Sequence, residues 1–117
     1  MIAVIFEVWP APGRKDDYLA IAAALRADLS LIDGFISVER FQSITDPNKL
    51  LSLSFWRDED AVQRWRNQAH HRASQVQARA GIFAEYRLRV ATVLRDYGLA
   101  NRAAAPDDSK AMHDQSA

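Results

Sequence analysis

The opening run Ile2–Trp9 (IAVIFEVW) is β-branched and aromatic, and it is apolar on both of its alternating faces. Ile2, Val4, Phe6 and Val8 share one side, and Ala3, Ile5 and Trp9 share the other. A sheet with one wet face alternates apolar with polar residues, so a strand of this kind predicts a sheet covered on both sides. Pro10-Ala11-Pro12-Gly13 ends the run. Any fold open to this chain has to cover both faces of its first strand.

The remaining elements supply cover for only one of them. Asp16 and Asp17 suit the first turn of a helix, where negative charge meets the macrodipole, and Tyr18, Ile21, Leu25, Leu29 and Ile32 follow on one stripe. Asp33-Gly34 stops that helix. Phe35–Ser43 alternates, with Phe35, Ser37, Glu39 and Phe41 facing one way and Ile36, Val38, Arg40 and Gln42 the other. The turn Thr45-Asp46-Pro47-Asn48 leads into Lys49–Trp56, where Leu51, Leu53 and Phe55 share a face. Asp58 is placed to cap a second helix whose stripe runs Val62, Trp65, Ala69, Ala73, Val76 and Ala80, with Gly81 at its end. Ile82 to about Asp96 supplies the last strand. This order predicts a ferredoxin-like α+β fold, a βαββαβ antiparallel sheet with two helices on one face. The second face is expected to pack on another copy, giving a closed two-fold homodimer.

A length of 117 residues suits one domain, read here as 1–98. Residues 99–117 are expected to form a flexible, disordered tail, because from Asn101 onward apolar periodicity disappears. Fifteen basic residues balance fifteen acidic ones, which argues against a nucleic-acid or anionic-membrane partner. The absence of cysteine removes disulfides, thiolate catalysis and zinc-thiolate sites. No run approaches the ~18 apolar residues of a membrane span. The first strand lacks the flanks of a signal peptide. A soluble, cytoplasmic protein is the expectation. No metal site is expected, since the three histidines include no pair at helical spacing. The four glycines stand at element ends and form no phosphate loop.

The segments GFISVERFQS (34–43), LLSLSFWRDEDAVQRWRN (50–67), HRASQ (71–75) and YRLRVATVLRDYG (86–98) resemble, in this order, the antibiotic biosynthesis monooxygenase family of dimeric α+β barrels. The resemblance covers essentially residues 1–98. It implies a pocket between sheet and helices in which dioxygen oxidises a small aromatic or quinol-like compound without flavin, haem or metal. Such chemistry is open to an electron-rich phenol or anthrone, whose enolate reduces oxygen itself. The protein then has to bind, assist proton removal and stabilise the anion away from water.

His71 is the polar candidate for proton transfer, with an ordinary pKa near ~6.5. In HHRASQ it matches the histidine of the HRAAQ-like segment of the resembled family. The plainer reading is a solvent-facing histidine beside Arg72 and Gln75. His70 points about 100° away around a helix and cannot share a pocket with it. Trp65 is read as a cavity wall whose indole N–H meets a substrate oxygen, or as plain core. Phe6, Phe41, Trp56, Phe83 and Tyr86 are the further wall candidates, and the Tyr86 hydroxyl could bind an enolate. Arg87 and Arg89, on one side of the last strand with Glu85, read as ion pairs at the sheet edge or dimer interface, with Glu39 as a partner. Arg40 stands open between ion pairing and anion binding.

Two other functions compete. One is a non-catalytic dimer that binds a small apolar ligand. The other is a haem-degrading monooxygenase of the same fold. Counting that pattern onto this chain puts Phe6, Trp65 and Gln75 where haem degraders carry Asn, Trp and a ligating His, so haem is disfavoured as a cofactor.

Overall fold

The doubly apolar first strand lies inside the sheet. The computed structural model describes residues 1–68, 72, 73, 76 and 80–113. Its elements are β1 (Ile2–Pro10), α1 (Lys15–Leu29), β2 (Phe35–Gln42), β3 (Leu50–Trp56), α2 (Glu59–Asn67), β4 (Phe83–Thr92) and a short C-terminal helix, α3 (Asp107–His113). The strands run in the order β2-β3-β1-β4, and every neighbouring pair is antiparallel. This is the ferredoxin-like α+β arrangement.

Local chemistry sets the element ends. Asp58 caps α2, its carboxylate accepting from the Ala61 N–H at 2.9 Å. Gly34 takes a φ of +92° at the turn out of α1, and its carbonyl accepts from the Arg57 N–H at 2.7 Å. Arg57 grips Asp33 through two hydrogen bonds of 3.0 and 3.1 Å, and Arg64 donates to the Asp33 carbonyl. The turn between α1 and β2 is thereby fastened to the start of α2.

Several boundaries differ from the sequence pattern. The second helix stops at Asn67, where Gln68 is extended, instead of running to Ala80. Short amide side chains such as Asn compete with the backbone for hydrogen bonds, which favours a break there. Arg72, Ala73 and Val76 are again helical, and Val76, expected on the buried stripe, is 72% exposed. β4 ends at Thr92, four residues before Asp96, because its partner does: Thr92 pairs with Ile2, the first residue of β1. Past it, Val93 donates only to the Met1 carbonyl. Where the sequence offers no apolar stripe, α3 is tied locally, by Lys110 N–H to the Pro106 carbonyl and by Arg102 to Ser109.

A bulge between Phe35 and Ser37 turns Phe35 onto the face of Val38, where it meets Trp56 edge-on at 5.3 Å. Simple alternation had put Phe35 with Ser37, Glu39 and Phe41. The core is divided. Val8, Tyr18, Leu50 and Ile82 form one buried cluster, and Leu29, Trp56, Ala61 and Val62 form another. The opposite, helix-free face carries Ile5, Leu51, Leu53 and Phe55, half-buried, and Phe41, 41% exposed. At its rim Glu7 bridges Lys49 at 2.7 Å and Arg89 at 2.6 Å, so Arg89 pairs with Glu7 and not with Glu39. Among the described residues no helix is long and apolar enough to cross a membrane.

Candidate active site

Strand register brings Arg40, Ser52, Phe6 and Leu88 into one row across the sheet, and Val38, Ser54, Val4 and Val90 into the next. Both rows lie on the helix-covered face and floor a cavity of about 230 Å³ between the two core clusters. Ala22 and Leu25 of α1 and Val62 and Trp65 of α2 roof it. Interiors are otherwise close-packed, and a filled core would need large apolar groups at these positions. The chain supplies Ser52, Ser54 and Ala22 instead, and the space remains open.

The two ends of the cavity are aromatic. Phe6, Phe83 and Tyr86 sit with ring centroids 5.7 to 5.8 Å apart, and Tyr18 meets Phe83 edge-on at 5.9 Å. At the other end Trp56 and Trp65 lie 6.4 Å apart. Trp56 is buried, and its indole N–H donates to the Ser54 hydroxyl at 2.9 Å, which satisfies both groups.

Charge enters the cavity at Arg40. Its Nε is fully buried and has no hydrogen-bond partner among the described residues. Tyr18, also buried, is its neighbour. Burial pushes the Tyr18 phenol above its ordinary pKa, while the Arg40 charge and hydrogen bond pull the other way. The phenol therefore stays protonated at neutral pH and able to donate. Arg66 stands exposed at the mouth. Among the described lining residues there is no carboxylate.

Five of the expected site residues converge here: Phe6, Trp56, Trp65, Phe83 and Tyr86 all line the cavity. Phe41 does not. It shares a strand with Arg40 and therefore points to the helix-free face, half-exposed. Arg87 also falls on that outer side, paired in register with Glu7. His71, with His70 and Gln75, lies outside the described residues. Sequence pattern does not single out Tyr18, Ser52 or Ser54, and it leaves Arg40 open between ion pairing and anion binding. The signal available was Arg40 itself, a charge on the same side of its strand as Val38. Reading it required knowing which face the helices cover.

The model of the antibiotic biosynthesis monooxygenase family matches residues 1–77. The jasmonate monooxygenase ABM of Pyricularia oryzae is 50% identical over 93 residues, 80% of this chain. The chain spans less than half of that relative, 43% of its length. Among solved structures, Rv0793 from Mycobacterium tuberculosis superposes with a TM-score of 0.75 at 20% identity, covering 83% of this chain and 98% of that one. An antibiotic biosynthesis monooxygenase of known structure gives 0.69 at 16% identity, covering 80% and 98%. The family model and the fungal relative support a monooxygenase-type function, and the solved structures share the fold. Strand order, helix placement and the match over the first 77 residues agree, and the chain belongs to the antibiotic biosynthesis monooxygenase family.

Proposed function

We propose that this chain is a cofactor-independent monooxygenase that oxidises a small aromatic or quinol-like substrate with dioxygen, in the cytoplasm and as a homodimer. The observation that carries the reading is the cavity, walled by Phe6, Trp56, Trp65, Phe83 and Tyr86 and holding few polar groups. An acidic C–H or phenolic O–H bound there loses its proton to a base, for which His71 is the proposed group. The resulting anion gives one electron to dioxygen, and the two radicals combine into a peroxide. Loss of water from the peroxide leaves a carbonyl, so a CH₂ group and O₂ become C=O and H₂O. The protein's part is to hold the substrate, position the base and stabilise the anion in a dry site.

The dimer reading rests on the helix-free face, whose Ile5, Leu51, Leu53 and Phe55 form an apolar patch without a helix over it. The deciding experiment is oxygen uptake by purified, colourless protein with a panel of anthrones, quinols and jasmonate, followed by mass spectrometry under ¹⁸O₂. The expected result is one labelled oxygen per product. A Soret band with reductant-driven haem breakdown would replace the reading with haem degradation. Saturable binding without oxygen uptake would leave a ligand-binding module.

A further inference from the structure

We infer that the cavity is built for an apolar organic acid, whose carboxylate is held by Arg40. The inference rests on the reading of this cavity as the substrate site and names the class of substrate it selects.

The first observation is the unpartnered Nε of Arg40, buried against the cavity. A buried donor without an acceptor is destabilising, and an oxygen acceptor supplied by a ligand removes that cost. The guanidinium fork matches the two oxygens of a carboxylate. The second observation is the neighbourhood. Ser52 stands beside Arg40 in the same row, and the protonated Tyr18 phenol adjoins it, so further donors can reach the same ligand oxygens. No Asp or Glu among the described lining residues competes for the guanidinium.

The third observation is direction. The row runs from Arg40 on β2 through Ser52 on β3 and Phe6 on β1 to Leu88 on β4. Three strand spacings separate its ends, about 14 Å. Across the sheet, the β2 side of the cavity is cationic at Arg40 and the β4 side is apolar at Leu88, one face-position along from Tyr86. A ligand that fits such a cavity has a charged head and an apolar body. A methyl ester of the same shape offers Nε one uncharged carbonyl oxygen in place of two charged ones, so discrimination falls on the head group.

The test compares octanoate, 1-naphthylacetate and jasmonate with their methyl esters at pH 7, by calorimetry and by tryptophan fluorescence, since Trp56 and Trp65 line the cavity. At least one acid is expected to bind about tenfold or more tightly than its ester. Arg40→Met is expected to remove that preference while leaving ester affinity unchanged, which also reports that the variant is folded. Arg40→Lys is expected to recover part of it, and Arg66→Gln, at the mouth, to keep most of it. Esters that bind as tightly as acids, no binding of any acid at millimolar concentration, or a preference that survives Arg40→Met overturns the inference. Should Arg40→Met fail to fold, the acid-to-ester ratio of the wild type and of Arg40→Lys decides. Acid preference without oxygen uptake would sink the monooxygenase reading and leave this one standing, and the reverse result would do the opposite.

Discussion

At Gly34 two requirements meet in one residue. Its φ of +92° is a conformation that L side chains rarely adopt, and a Cβ built there would lie 2.7 Å from the Ala61 Cβ. Gly34→Ala therefore strains the turn and pushes α2 away from it. The expected loss is about 1–3 kcal/mol, read as a lower urea midpoint at unchanged slope. His71→Ala tests the chemistry instead. Turnover should fall about 10²-fold with the melting temperature unchanged. Undiminished turnover would remove His71 from the mechanism and leave the family membership intact. Residues of this kind differ in how far sequence discloses them. Large aromatics such as Trp56 and Phe83 declare themselves as wall or core by type alone. Arg40, Ser52 and Phe41 do not, because alternation sorts a strand into two faces without saying which one the helices cover. The role inferred for Arg40 and the placing of Phe41 outside the cavity both follow from that single piece of non-local information.

Among the elements, strands were more legible than helices. All four strands lie where β-branched and aromatic residues cluster, and the largest difference, the end of β4, arises because β1 begins at Ile2 and offers no strand partner past Thr92. α2 was misjudged for a different reason: its apolar periodicity continues beyond the point where Gln68 turns extended. Periodicity reports which residues would share a face, not where the backbone leaves the helix. Ion pairs between elements are hardly visible in sequence at all. Glu7 on β1 joins Arg89 on β4 to Lys49 at the entrance of β3, and Lys49 also lies over the Trp9 ring at 5.1 Å. The hydrogen bond from Lys49 holds the Glu7 carboxyl below its usual range, with Arg89 adding to it and desolvation opposing. A lowered native pKa means that the native state binds fewer protons than the unfolded chain, so this stabilisation is complete above the unfolded value of 4.5 and fades as pH falls through the native one. Glu7→Gln should accordingly be less stable than wild type at pH 7. The gap should close progressively below about pH 4.5; a gap independent of pH in thermal melts would show that the pair contributes nothing through its charge.

For the molecule as a whole, the doubly apolar β1 was the informative feature, since it demands an inner strand and cover on both faces of the sheet. The described helices cover one face over β1 and β3 and leave Leu88 and Val90 of β4 exposed. Ile5→Asp puts a carboxylate on the other face, between Leu53 and an Arg89 already engaged by Glu7, and desolvating it in an assembly would cost a few kcal/mol. Wild-type protein should sediment as a dimer at micromolar concentration and Ile5→Asp as a monomer or unfolded chain; a wild-type monomer would dispose of the assembly. What no pattern in the chain discloses is that its core comes in two pieces. Tyr18 near the start of α1 belongs to one cluster, Leu29 at its end to the other, and the cavity separates them. β1, β3 and α1 each supply residues to both clusters and join them past the cavity, and the expectation is that each half opens locally on its own. Amide hydrogens along α1 should then exchange in two kinetic groups, one following each cluster. A molecule seated in the cavity touches both halves at once and acts as the missing middle of the core. With it bound, the two groups should merge and slow together, and this chain would complete its own hydrophobic core only while holding a ligand.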